Sequence, residues 1–170
     1  MRKSPVRILG IDPGSVTTGY GVIDQVKGKL VLVEQGTIRT ARGEELADRL
    51  LKIFTGLGAV IARTSPETVA VESPFAGQNP RSLIQLSHAR GVILLAARSA
   101  GLPVHEYSPR SVKSAVVGYG GAEKEQVGKM IRLLVSGIGE QLLAADASDA
   151  LAIAVCHAHH ASFKARVRTQ

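Results

Sequence analysis

One apolar run that ends in a carboxylate and a turn constrains this chain more than any other stretch. The run is Val6-Arg7-Ile8-Leu9-Gly10-Ile11-Asp12, and Pro13-Gly14 follows it. Its composition predicts a buried β-strand, and residues 17–24 predict a second strand after a short connection. Asp is disfavoured in strands, and a buried unpaired carboxylate is costly. Asp12 therefore either caps the turn through its own backbone or meets a bound cation.

A later strand repeats the pattern of an apolar run that ends in an acid. Residues 29–38 predict a third strand, so the first three strands form an antiparallel meander, and residues 43–63 predict an amphipathic helix over the sheet. The charged residues assigned to that helix are Glu44, Glu45, Asp48, Arg49 and Lys52. Residues 68–74 then form a strand that ends at Glu72. A right-handed crossover makes it parallel to the first strand, which brings Asp12 and Glu72 to one edge of the sheet. Alternatively, Glu72 is simply the first polar residue of an exposed loop.

The remaining elements complete one domain over residues 1–170, with the last few residues disordered. Helices are predicted at residues 81–100, 109–116 and 122–135, with a strand at residues 102–107. Within the helix at residues 81–100, Gly91 allows close approach of another element. The sequence contains no internal repeat.

The last helix begins near residue 144 and carries two further acids. Asp146, Asp149 and His157 fall on one stripe by their three- and four-residue spacing. Helix chemistry offers another explanation, in which Asp146 is the N-cap and Asp149 the third-position acid of a capping box. Both roles are compatible with metal coordination.

Charge and composition favour a nucleic-acid partner. The 170 residues include 21 Lys and Arg against 14 Asp and Glu, a net charge of +7. Such a charge favours a polyanion, although a generally basic protein would also show it. With one cysteine, Cys156, and no apolar run of membrane-spanning length, we expect a soluble protein of the reducing cytoplasm that does not interact with membranes.

A cluster of the four acids would require bound cations. Carboxylates in a cluster repel one another, and hard divalent ions with oxygen ligands relieve that repulsion, so Mg²⁺ or Mn²⁺ is expected. Two such ions can bind both the attacking water and the leaving oxygen of a phosphodiester. The stripe of Asp146, Asp149 and His157 leaves a zinc or mixed site as an alternative, and the role of His157 stays open.

Six segments in order resemble the RuvC-type Holliday-junction resolvases, a family of the ribonuclease-H-like superfamily. They are Leu9-Gly10-Ile11-Asp12-Pro13-Gly14 with Thr18-Gly19-Tyr20-Gly21, Ala70-Val71-Glu72 with Phe75, Leu86-Ser87-His88-Ala89-Arg90-Gly91, Tyr107-Ser108-Pro109 with Val112-Lys113, Ala122-Glu123-Lys124 with Gln126-Val127, and Asp146-Ala147-Ser148-Asp149-Ala150-Leu151-Ala152. The resemblance covers nearly the whole chain.

This resemblance implies an α/β, ribonuclease-H-like fold with a five-stranded mixed sheet of order 3-2-1-4-5 flanked by helices. It implies a crossover junction endodeoxyribonuclease that acts in recombination and repair, with two Mg²⁺ or Mn²⁺ ions per subunit. The implied catalytic and metal-binding set is Asp12, Glu72, Asp146 and Asp149.

The resemblance also implies contacts with four-way-junction DNA. Phe75 would stack on an unpaired base, or else anchor its loop. Lys113 and Lys124 would contact phosphate near the cut, or else lie on solvated helix faces. Arg81 and Arg110 are further candidates for the same surface.

The family's implied partners are a second copy and a branch-migration complex. The helix at residues 81–100 would supply the homodimer contact, and the complex is that of RuvA and RuvB. No segment of this sequence identifies the surface on which that complex would dock.

Other functions remain compatible with the sequence. The segment Asp12-Pro13-Gly14 with Tyr20-Gly21 also resembles the phosphate loop of actin-like and sugar kinases, although those need two such domains. A non-catalytic module that binds branched DNA and a general RNA nuclease are further alternatives.

Overall fold

The described part of the chain is a mixed β-sheet with helices on both faces. The computed structural model describes residues 5–74, 80–139 and 144–167, with only the backbone of Arg81 and of residues 164–167. The elements are β1 (Val6–Asp12), β2 (Thr17–Val26), β3 (Lys29–Arg39), α1 (Leu46–Thr64), β4 (Thr68–Glu72), α2 (Pro80–Ser99), β5 (Val104–Tyr107), α3 (Pro109–Val117), α4 (Lys124–Leu134), β6 (Val135–Ser136) and α5 (Ala145–Val167).

The sheet has the strand order β5-β4-β1-β2-β3-β6. β1–β2 and β2–β3 are antiparallel, whereas β4 pairs parallel with both β1 and β5. The predicted order 3-2-1-4-5 is therefore confirmed, and the predicted element bounds shift by no more than three residues.

One short strand was not predicted. Residues 122–135 were expected to stay helical to their end, but α4 ends at Leu134 and Val135 pairs parallel with Leu30 as part of β6. Val135 is buried in the core, and Gly137 has a φ of 90°, which turns the chain away from the helix. Burial against β3 here outweighs the helical pattern.

Alternation along the strands divides the core into two layers. Ile8 and Ala70 pack in the layer formed with α3, α4 and α5. Leu9, Ile11 and Val71 pack in the opposite layer, formed with α1 and α2. Because side chains alternate between faces, residues 8, 10 and 12 of β1 share the α5 face.

The helix α5 is apolar on all sides in its middle part. Residues 150–158 are all buried, because α5 packs on the sheet while α3 and α4 cover its other sides. Of the helices described, none has the length and apolar character needed to cross a membrane.

Two glycines allow α5 to lie directly on the sheet. A Cβ placed on Gly10 would lie 2.1 Å from the carbonyl oxygen of Ala150, and one on Gly19 would lie 2.0 Å from that of Asp146. No side chain fits at such distances. The backbone of α5 therefore rests against the backbones of β1 and β2.

We expect Gly10→Ala to lower the free energy of unfolding by about 2 kcal/mol, since overpacking a tight contact typically costs about 1–3 kcal/mol. Gly58→Ala is the matched control, because Gly58 lies in α1 and a Cβ placed on it would meet no described atom within 4 Å. The control should gain about 0.5–1 kcal/mol from helix propensity. Urea unfolding followed by circular dichroism measures both changes. Equal stabilities of the two variants would contradict the close contact.

Candidate active site

Two acids project side by side from neighbouring strands. β1 and β4 are parallel with Ile11 opposite Val71, so Asp12 and Glu72 are the next residues on each strand. Both lie on the α5 face, as the alternation of the strands requires. The predicted meeting of these two carboxylates at one edge of the sheet is what the structure shows.

The start of α5 brings the other two acids to the same edge. Asp12 pairs with Gly19 across the β1–β2 ladder, and the backbone of Asp146 rests on Gly19. Since α5 begins at Ala145, Asp146 is its second residue and not its N-cap, so the capping-box explanation does not describe this helix start. Asp149 lies one turn further and lines a cavity together with Asp12 and Glu72.

The carboxylates raise one another's proton affinity. Burial, followed by the charges of Asp149, Glu72 and Asp146, raises the pKa of Asp12 to about 8. The pKa of Glu72 is raised by burial and then by the charge of Asp149, while Lys124 and Lys113 oppose the increase. The four acids therefore form one electrostatic cluster in which positive charge would be stabilising.

One lysine supplies part of that charge. Lys124 is the first residue of α4, where Glu123 and Gln126 form a capping box, and its Nζ lies 2.8 Å from Oδ2 of Asp149. The hydrogen bond to Asp149, followed by the charges of Asp149, Asp12 and Glu72, raises the pKa of Lys124. Its side chain is 79% exposed, so it can also be reached from solvent.

The acids open into a cavity of about 260 Å³. Lys113 and Lys124 form its basic wall, and the other lining residues are Asp12, Glu72, Pro109, Val112, Val127, Asp149 and Ala152. Their contact with phosphate stays a prediction. A second cavity of about 530 Å³ lies on the other side of Asp12 and Glu72, which line both cavities.

The donor chemistry suits a hard divalent cation, although the acids do not form a closed ligand set. Among the described residues, no three His, Cys, Asp or Glu side chains lie close enough together to hold a metal ion. Lys124 takes the place of a counter-ion beside Asp149. The four carboxylates nevertheless supply the hard oxygen ligands that Mg²⁺ and Mn²⁺ prefer.

The structure describes only some of the other residues that were predicted to contact DNA. Arg110 is an exposed residue of α3, and its side chain packs on Gly120 instead of lining either cavity. Phe75 lies outside the described residues, as does the side chain of Arg81. Those two predictions therefore stay predictions.

His157 lies away from the acids. Its Nδ1 is 2.8 Å from the hydroxyl oxygen of Tyr107, and its ring centroid is 4.5 Å from that of His105. It belongs to the contact between β5 and α5, two turns beyond Asp149. The mixed site of Asp146, Asp149 and His157 is therefore not formed.

Sequence reasoning missed one residue that shapes the site. Arg49 was assigned to the charged face of α1, but it is only 7% exposed. Its Nε donates to the carbonyl oxygen of Ser15 at 3.1 Å, which holds the loop that follows Asp12. The spacing could have shown this, because Arg49 precedes the buried Ile53 by four residues and shares its stripe.

Comparisons with known proteins agree with this geometry. The family described as Crossover junction endodeoxyribonuclease RuvC matches residues 8–157. The crossover junction endodeoxyribonuclease RuvC of Geobacter sp. (strain M21) is 49% identical over 161 residues, which cover 95% of this chain and 97% of that protein.

Solved structures support the same relationship. The RuvC structure from Thermus thermophilus has a TM-score of 0.85 and 36% identity, covering 94% of this chain and 97% of that one. T. thermophilus RuvC in complex with a Holliday junction substrate has a TM-score of 0.87 and 37% identity, covering 94% and 96%. The predicted ribonuclease-H-like fold is thereby confirmed, and the chain belongs to the RuvC family of crossover junction endodeoxyribonucleases.

Proposed function

We propose that this protein resolves four-way DNA junctions by hydrolysing one phosphodiester in each of two opposed strands. The observation that carries the proposal is the convergence of Asp12, Glu72 and Asp149 on a cavity whose other wall holds Lys113 and Lys124. Carboxylates that can bind divalent cations therefore lie beside lysines that can bind phosphate. Relatives that match along nearly the whole chain carry the name of this activity.

Asp12, Glu72, Asp146 and Asp149 would hold two divalent ions per subunit, Mg²⁺ or Mn²⁺. When bound, such ions stabilise charge on a phosphodiester and make water a better nucleophile. The carboxylates of this chain would hold and orient these ions, and Asp12 and Glu72 are partly buried at the strand ends. Lys113 and Lys124, which line the same cavity, bind phosphate of the strand next to the bond to be cut.

The same proposal assigns the other DNA contacts. Phe75 stacks on an unpaired base near the crossover, and Arg81 and Arg110 add to the electrostatic attraction of the duplex arms. The net charge of +7 supports this assignment.

A homodimer supplies the two sites that symmetric cleavage needs. On α2, Ile84 is 58% exposed and Leu95 is 59% exposed. His88 and Gly91 are also exposed and complete one stripe at helical spacing, and a Cβ placed on Gly91 would meet no described atom within 4 Å. Exposed apolar residues around a small residue suit the close packing of a second copy.

The cellular part of the proposal rests on the family alone. It places the enzyme in the cytoplasm as one chain with a single nuclease domain, acting with a branch-migration complex of RuvA and RuvB. Membership in the family decides against the kinase alternative. A non-catalytic junction-binding module is the alternative that cleavage assays decide.

The first experiment is cleavage of a synthetic four-way junction in Mn²⁺, in Mg²⁺ and in EDTA. We expect paired nicks in opposed strands that require metal and are absent from a linear duplex of the same sequence. Binding without cleavage in either metal would indicate the non-catalytic module. Equal cutting of the linear duplex would indicate a general nuclease.

Asp12→Asn should reduce junction cleavage by more than about 100-fold, because even residues behind the metal ligands typically contribute about 10–100-fold. Junction binding without metal should change by less than about threefold, since no phosphate contact is lost. The melting temperature of the Asp12→Asn variant in EDTA should rise by roughly 2–4 °C for each kcal/mol of repulsion that the substitution removes.

Asp48→Asn is the control for charge, because Asp48 lies exposed in the first turn of α1. Gel-shift and cleavage assays on both variants, with thermal melts, measure the three effects. Retained cleavage by Asp12→Asn would contradict the four-acid site.

Substitution of Ile84 and Leu95 by Glu should convert the dimer to a monomer, because four carboxylates would then face one another across a two-fold axis. Leu133→Glu on α4, at a residue that is 78% exposed, is the control. Sedimentation velocity measures the oligomeric state, and the monomer should lose the pairing of nicks. A wild-type monomer, or a variant that stays dimeric, would overturn the proposed interface.

A further inference from the structure

The second cavity, of about 530 Å³, has no part in the function proposed so far. It lies against Asp12 and Glu72 on the side away from Lys113 and Lys124. Its remaining wall comes from the loop after β1, the loop between β3 and α1, the first turn of α1 and the first turns of α2. The polar side chains in that wall are Ser15, Arg42, Arg49, Ser82 and Gln85.

Hydrogen bonds join two of these loops into one structure. The backbone N–H of Thr40 donates to the carbonyl oxygen of Val16 at 2.9 Å, and its hydroxyl donates to that of Ser15 at 2.9 Å. Arg49 reaches the same Ser15 oxygen from α1, with Nη2 at 2.5 Å. The loop that carries Arg42 is therefore fixed relative to the strand end that carries Asp12.

The cavity is basic apart from the catalytic acids. Arg49 donates to neutral acceptors, the Ser15 carbonyl and the Thr40 hydroxyl, so it brings a buried positive charge to the wall. Arg42 is exposed at the rim, two residues beyond Thr40. Among the described residues that line this cavity, the carboxylates are Asp12 and Glu72 alone, and both cavities share them.

A DNA strand whose scissile phosphate lies at the acids must leave them in two directions. The two cavities meet at the acids, so one course past them runs along Lys113 and Lys124 and another runs along Arg42. At about 530 Å³ the second cavity falls within the range of about 300–1,000 Å³ of sites that enclose small organic ligands, which is the size class of a nucleotide.

We propose that Arg42 binds a backbone phosphate of the cleaved strand on the opposite side of the cut from the phosphate bound by Lys113. Arg42 presents the fork of donors that matches phosphate, and Gln85 can donate to the same nucleotide. Arg49 is a positioning residue that acts through Ser15. This proposal rests on the proposed nuclease function and deepens it, because it fixes how the strand crosses the acids.

The test determines which backbone phosphate each side chain contacts. Junctions with a single uncharged methylphosphonate linkage, placed in turn at the positions flanking the cut, are bound without metal to wild type, Arg42→Ala and Lys113→Ala. Lys29→Ala is the matched control, because Lys29 is an exposed cation at the start of β3. Its end of the β2–β3 ladder is opposite to the end where Thr17 and Thr18 lie.

We expect Arg42→Ala to bind the normal junction about 3–10-fold more weakly, with a salt slope smaller by roughly one. At one position, a methylphosphonate should weaken junction binding by wild type but cause no further loss of binding in Arg42→Ala. The phosphate at that position is then coupled to Arg42. That position should lie across the cut from the one that couples to Lys113. Lys29→Ala should lose affinity equally at every position, if at all.

Coupling of Arg42 to no phosphate, or to the same phosphate as Lys113, would overturn the proposal. The binding readout is independent of cleavage, so failure of wild type to cut junctions would refute the nuclease function without deciding this contact. Arg49→Lys provides a further check. As a positioning variant it should lower the cleavage rate at saturating junction, while the phosphate that couples to Arg42 stays the same.

Discussion

The contact between α5 and the first two strands brings Asp146 and Asp149 to the strand ends that carry Asp12 and Glu72. Gly10 and Asp12 share one face of β1, so a helix that touches the backbone at Gly10 begins beside Asp12. Gly19, opposite Asp12 in the ladder, lets the helix start come equally close. A side chain at either glycine would hold the helix away from the sheet and withdraw Asp146 and Asp149 from the strand ends. The two glycines therefore help to position Asp146 and Asp149 beside Asp12.

Bringing the four acids together lowers the stability of the folded chain. Burial and three neighbouring charges raise the pKa of Asp12 to about 8, which means that its ionised form is disfavoured in the folded chain. Lys124 compensates in part through Asp149. A site that awaits cations must keep some of this repulsion, because a cluster neutralised by its own side chains would bind metal weakly. Functional sites commonly reduce stability in this way.

Most of the helices and strands were predictable because their sequence signals are local, whereas the full strand order came from the resemblance to the RuvC family. Apolar runs that ended in Asp12 and Glu72, with one long helix between them, were enough to predict parallel neighbours and a shared edge. Arg49 was missed although its spacing from Ile53 placed it on the buried stripe. A charged residue on such a stripe is easily assigned to the solvent face, and only the partner, the carbonyl of Ser15, shows why it is buried. The two-residue strand β6 depended on burial of Val135 against Leu30, which is far away in sequence, so no local pattern could predict it.

The cations around the acids are of two physical kinds, and the difference links binding to chemistry. Arg49 is buried and fixed by neutral acceptors, so its charge stays in place whether or not DNA is present. Lys124 is exposed, carries a flexible stem and donates to Asp149. Under the proposed function, a phosphate that approaches Lys124 would share with Asp149 an ammonium group that has three donors. The exposed lysine can therefore adjust to the strand, whereas Arg49 keeps the loop after Asp12 in one position.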